Sequence, residues 1–215
     1  MKLTANHLAK TVKGKTILSD INLTLESGVV YGFVGRNGSG KTMLFRALSG
    51  LMKPDAGEVR YGERVLHRDF SVLPGLGMVL ENVGLYPELT GYKNLELLSR
   101  INKKIGEEEI RDAIRRVGLD PADKRPYRKY SLGMKQRIVI AQAIMEKPEV
   151  LMLDEPTNSL DEGGVEEIRT IVKQEKERGA IVLLSSHNRE DISLLADEVY
   201  QMEGGCLMAR TVMEA

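Results

Sequence analysis

Eight residues early in the chain, Gly35 to Thr42 (GRNGSGKT), have the types and spacing to hold a row of phosphates. Glycines at 35, 38 and 40 let backbone N–H groups converge on phosphate oxygens. The apolar run that follows (Leu44, Phe45, Leu48) predicts a helix, whose N-terminus adds about half a unit of positive charge. Lys41 is spaced to reach the β- and γ-phosphates, and the Thr42 hydroxyl suits Mg²⁺. A chance glycine turn with a stray lysine is a poor alternative, because the motif falls between an apolar strand and an apolar helix, as it must.

Two carboxylates and a histidine complete a candidate set. In VLMLDEPTNSLD, Asp154 ends an apolar strand and can hold Mg²⁺ directly or through water, while Glu155 can polarise a water for in-line attack on a γ-phosphate. By themselves such acids are more often caps or solvated; beside a phosphate cradle the balance reverses. His187, in LLSSHNRED, follows another apolar strand and can meet the same phosphate or water; its bland alternative is a place near the cap of a helix started by Asn188. His7 and His67 have no such setting. A serine-glycine turn, Ser131 and Gly133 in YSLGMKQR, precedes a basic, helix-favouring run. It reads either as a plain N-cap or as a second anion site.

Positioning these groups requires strands that end on one edge. Apolar runs at 29–34 (between Gly28 and Gly35), 150–153 and 181–184 are too short for helices and lack alternation, as buried parallel strands do. Helical periodicity fills the intervals: Ile110, Ile114 and Val117 before Gly118, and Val165, Ile168 and Val172 before Gly179. Strands alternating with helices predict an α/β fold with a mostly parallel sheet. Residues 82–146 break the rhythm, with helical patterns at Leu95, Leu98 and Ile101, at 107–117 and at 134–145. We expect a helical insert there, flanked by 1–81 and 147–215, in one compact unit.

The bulk numbers narrow the classes. With 215 residues and 42% apolar content the chain can bury a core. Thirty-one basic residues balance 31 acidic ones, so no long-range field favours nucleic acid or an acidic bilayer. No run approaches the roughly 20 apolar residues that span a membrane, and no secretory leader is expected at the N-terminus. A single cysteine, Cys206, excludes an internal disulfide and reads as a small strand residue.

GRNGSGKT, YSLGMKQR, LDEPTNSLD and SSH, in this order, resemble the nucleotide-binding subunit of an ABC transporter, over nearly the whole chain. The resemblance implies a P-loop NTPase core of mostly parallel sheet flanked by helices, an N-terminal antiparallel β portion and an inserted α-helical subdomain. It implies ATP and Mg²⁺ as cofactors. Nucleotide would be held by Gly35, Asn37, Gly38, Ser39, Gly40, Lys41, Thr42 and Met43, and Mg²⁺ by Thr42, Glu81 and Asp154. Glu155, His187 and Lys41 would be catalytic. Ser131 and Gly133 would complete the γ-phosphate site of a second protomer in a head-to-tail dimer of like or unlike subunits, with Asp161 speaking across the same interface. A separate transmembrane permease would hold the subunit at the cytoplasmic face of the membrane. The signature form and the 28 residues after His187 resemble bacterial export ATPases for drugs, antibiotics or peptides, and on that resemblance no appended regulatory domain is expected.

Four positions depart from the family pattern. Val12 stands where an aromatic usually stacks on adenine, Glu81 where a glutamine is usual, and Leu132 and Met134 replace a glycine and a glutamine. Two other readings carry the same motifs: a soluble ABC ATPase without a transport role, and a nucleotide-binding regulatory subunit that no longer hydrolyses ATP.

Overall fold

The computed structural model describes residues 1–80, 84–187, 192 and 194–213. Near the N-terminus, β1 (Lys2–Val12) and β2 (Lys15–Glu26) form a long antiparallel hairpin. The two-residue turn, Lys13 and Gly14, has positive φ at both positions, matching the twist of its flanking strands. With β4 (Ala56–Tyr61) and β5 (Arg64–Val65) this makes a four-stranded sheet in the order β2-β1-β4-β5. The antiparallel portion implied by the resemblance is thus present, although the apolar-run reading had not located its strands.

The second sheet has the order β10-β9-β3-β8-β7-β6. Its members are β3 (Val30–Val34), β6 (Leu76–Val79), β7 (Val150–Asp154), β8 (Ile181–Ser185), β9 (Glu198–Glu203) and β10 (Cys206–Val212). All neighbours pair in parallel except β10, which runs antiparallel to β9. The three predicted runs are β3, β7 and β8, the central strands. Their lack of alternation has a direct cause, since both faces are buried. Val30, Leu151, Leu153, Val182 and Leu184 join one apolar cluster, while Tyr31, Phe33, Val150, Met152, Ile181 and Leu183 join the other.

The second cluster lies between this sheet, α1 (Lys41–Ser49) and the antiparallel sheet, with Phe33 edge-on to Phe45 at 5.5 Å. The first joins the opposite face to α2 (Gly91–Asn102), α3 (Glu107–Arg116), α4 (Leu132–Ile144) and α5 (Glu162–Glu177). Residues of the helical stretch (Leu95, Ile110, Ile114, Ile138) and of the sheet (Leu151, Leu153, Val182) share one continuous apolar cluster.

The apolar faces depart from the expected ones in two places. Ile101 is 75% exposed, whereas Leu95 is fully buried. Six residues at 3.6 per turn put Ile101 about 240° round the axis from Leu95, off the face that buries Gly91, Asn94, Leu95 and Ser99. Val165 is only half-buried, because the inner face of α5 runs through Gly164, Ile168, Ile171 and Val172. Glu107, Glu108 and Glu109 in the first turn of α3, and Arg115 and Arg116 in its last, suit the helix dipole.

Candidate nucleotide site

The C-terminal ends of β3, β7 and β8 lie side by side, the edge of an open α/β sheet where ligands bind. From β3 the chain enters Gly35–Gly40 and then α1, whose N-cap is Gly40 at φ +110, in the left-handed region that favours glycine. Gly35 is required for a different reason: a Cβ there would stand 2.4 Å from Met202 O and 2.6 Å from Ser39 Oγ. The Ser39 hydroxyl is buried and has no hydrogen-bond partner among the described residues. Asn37 is exposed on the loop, and Met43 lies half-buried against the second cluster, so its side chain serves packing. Lys41 is 7% exposed and folds back over the loop, its Nζ donating to Gly35 O at 2.7 Å.

One helical residue further on, the Thr42 hydroxyl donates to Asp154 Oδ2 at 2.5 Å. Asp154, at the tip of β7, is 3% exposed, and its other oxygen accepts from the Ser185 hydroxyl at the end of β8. Burial of a carboxylate is tolerable only with such partners. A hydroxyl and a carboxylate this close form a hard-oxygen pair of the kind Mg²⁺ favours. Among the described residues no cluster of three or more His, Cys, Asp and Glu is arranged to hold a metal, so an ion here would draw its remaining ligands from nucleotide and water.

Glu155 follows at φ +49, unusual for a residue with a side chain. Its N–H donates to Ser185 O at 3.1 Å and to Ser185 Oγ at 3.2 Å, which holds it in that conformation. The Glu155 side chain is 11% exposed, and its Oε2 accepts from the His187 N–H at 3.2 Å and lies 2.7 Å from His187 Nδ1. Because an ionised carboxylate only accepts, Nδ1 carries the proton, and Nε2, on a ring that is 61% exposed, is not used by Glu155. The structure therefore joins His187 to Glu155 directly. Ser185 is a residue that sequence reasoning missed: its signal was the serine pair before His187, and its role appears only when β7 and β8 pair in register, Asp154 opposite Ser185.

The remaining candidates lie around this centre. Val12 is 39% exposed at the tip of the β1–β2 hairpin, opposite Lys15. That hairpin abuts the loop, since a Cβ on Gly40 would stand 3.2 Å from Ile17 O. Ser131 is the N-cap of α4, accepting from Met134 N–H at 3.2 Å, so the plain capping role is real. The Tyr130 hydroxyl accepts from Gly91 N–H at 3.3 Å and anchors the turn on α2. Gly133 faces the segment after Asp154 in the same chain; a Cβ there would stand 3.0 Å from Ser159 O. Asp161 caps α5, accepting from Gly164 N–H at 2.9 Å and from Arg137 Nη2 at 3.2 Å. The Gly164 N–H first, and Arg137 after it, hold the Asp161 carboxyl below the ordinary carboxylate value. Glu81 and Asn188 lie outside the described residues.

Gln136 and Arg137, which sequence reasoning passed over, tie α4 to the same segment. Gln136 Nε2 donates to Pro156 O at 3.3 Å, and Arg137 reaches Val117 O, Asp161 and Glu167.

The family model for ABC transporters matches residues 18–158, which include the phosphate loop, the serine-glycine turn and the Asp154–Glu155 pair. An ABC transporter ATP-binding protein of Bacillus subtilis, YybJ, itself uncharacterized, is 47% identical over 94% of this chain and 92% of the relative. The lantibiotic transport ATP-binding protein SrtF of Streptococcus pyogenes is 36% identical over 91% of this chain and 84% of its own length. In fold, the chain is similar to MJ0796, a bacterial ABC transporter cassette solved as a dimer, with a TM-score of 0.89, 23% identity and 99% of each chain covered. A phosphate loop and paired carboxylates alone would fit many nucleotide enzymes, but with the match through the serine-glycine turn they do not: the chain belongs to the ABC transporter family, as an ATP-binding subunit and ATPase.

Proposed function

We propose that this chain grips the triphosphate of ATP in Gly35–Thr42 and hydrolyses it with Glu155 as general base. The observation that carries this reading is the continuous hydrogen-bonded line Thr42–Asp154–Ser185–Glu155–His187 along the ends of β7, β8 and α1. Lys41 Nζ would exchange Gly35 O for β- and γ-phosphate oxygens. Glu155 would take a proton from water as the water oxygen attacks the γ-phosphorus; the bond to the bridging oxygen breaks and ADP leaves. His187, its Nδ1 proton on Glu155, keeps Nε2 for the γ-phosphate or the water. Thr42 and Asp154 would hold Mg²⁺, which when bound neutralises charge on the phosphate oxygens.

Ser131 and Gly133, at the exposed start of α4, would meet the γ-phosphate of a second protomer's ATP, with Asp161 near that interface. On this reading 1–81 with 147–215 form the nucleotide core and 82–146 the arm carrying the signature turn. No described helix is long and apolar enough to cross a membrane, so the transport path would belong to a permease subunit that holds this one at the cytoplasmic face. The likeness to a lantibiotic transport ATP-binding protein favours a peptide or antibiotic as cargo, and export as the direction.

Glu155→Gln tests the chemistry. The amide keeps the shape but cannot take a proton, so kcat should fall by roughly 10²–10⁴ while ATP binding is retained and an ATP-bound dimer accumulates. Turnover at the parent rate would remove Glu155 as the base.

A further inference from the structure

The turn between β9 and β10 is built against the phosphate loop. Gly205 N–H donates to Ser39 O at 2.9 Å, and Gly205 O accepts from Ser19 N–H at 2.9 Å, so this one residue bridges β2 to the loop. It has φ +83, and a Cβ on it would stand 2.4 Å from Ile17 O and 2.8 Å from Ile17 C, backbone atoms that cannot swing aside. The end of β9 closes in as well. Met202 O is the atom that leaves no room for a side chain on Gly35, and a Cβ on Gly40 would stand 3.3 Å from Met202 Cε and 3.4 Å from Gly205 Cα. This hairpin lies beyond residues 18–158, the span of the family match.

We infer that Gly205 is a positioning residue for nucleotide: by holding Ser39 O it fixes the plane of the Ser39–Gly40 peptide. In a trans peptide the C=O and N–H point to opposite sides. Tying Ser39 O to the hairpin therefore aims Gly40 N–H away from it, as one of the amides that would meet phosphate. The inference rests on the reading that Gly35–Thr42 binds the triphosphate of ATP.

A pair of variants isolates the effect. Gly204→Ala and Gly205→Ala each place a methyl on a left-handed residue (φ +55 and +83), but at 204 it meets nothing within 4 Å. Gly205→Ala should raise Kd and KM for MgATP about tenfold with kcat within about twofold, and Gly204→Ala should stay within about twofold of the parent in all three. Equal losses in both variants, or a folded Gly205→Ala that binds MgATP as the parent does, would overturn the inference. Amide hydrogen exchange on the unaltered protein decides the matter if Gly205→Ala does not fold. Added MgATP should slow exchange at Gly205, and an unchanged rate there, with nucleotide bound, overturns the role. A parent protein that binds no MgATP removes the ATP reading and this inference together; a parent that binds it, with an indifferent position 205, removes the inference alone.

Discussion

Two residues show how local chemistry sets the terms of this site. Glu155 sits at φ +49, a conformation costing on the order of 1–3 kcal/mol for a residue with a side chain, and two hydrogen bonds from its N–H to Ser185 offset that cost. The left-handed kink turns the chain just after Asp154, so neighbouring carboxylates face different partners, Thr42 and Ser185 for one and His187 for the other. Val12 makes the opposite case, a residue that leaves something out. It is partly exposed at the hairpin tip beside the loop and offers a β-branched side chain where a ring could stack. Stacking a base on an aromatic is worth roughly 1–3 kcal/mol. Val12→Tyr should therefore tighten ATP binding by about tenfold, one decade per 1.4 kcal/mol. Calorimetry showing no gain would mean that adenine is held elsewhere.

Among the elements, α4 and α5 depend on each other more than either pattern implies. Asp161 caps α5 and also takes a hydrogen bond from Arg137 of α4, so one carboxylate secures a helix start and a helix-helix joint. Asp161→Ala should lower Tm, and Asp161→Asn, which can still cap, should recover part of the loss. The same carboxylate implies a pH dependence. Its value in the folded protein lies below the ordinary 3.8, so its stabilisation is fully present above 3.8 and is lost as the pH falls through the lowered value. Thermal scans from pH 6 to pH 2 should show the gap between parent and Asp161→Ala closing at the acid end; a constant gap would mean that the carboxylate charge is not what stabilises.

At the scale of the whole molecule, the phosphate loop and the serine-glycine turn are separate features of one chain, and the turn is exposed, with Leu132 beside it 67% exposed. Ser131→Arg should leave a folded monomer that binds ATP, while scattering with Glu155→Gln in the background should show the ATP-dependent dimer lost; an undiminished dimer would refute a site shared between protomers. The sequence by itself determined the chemistry that is local in the chain. Gly35–Thr42 was legible as a candidate phosphate loop because strand, glycines, lysine and helix follow one another without a break. The strands β3, β7 and β8 were legible because burial on both faces leaves a continuous apolar run. What only the tertiary structure decided depends on residues far apart meeting: Ser185 on Asp154 across 31 positions, Gly205 against Ser39, and Ile101 turned out to solvent by the pitch of its helix. The edge strands were hidden for the same reason, since a largely exposed strand such as β10 is specified by the partner it pairs with, and pairing leaves little trace in a run of seven residues.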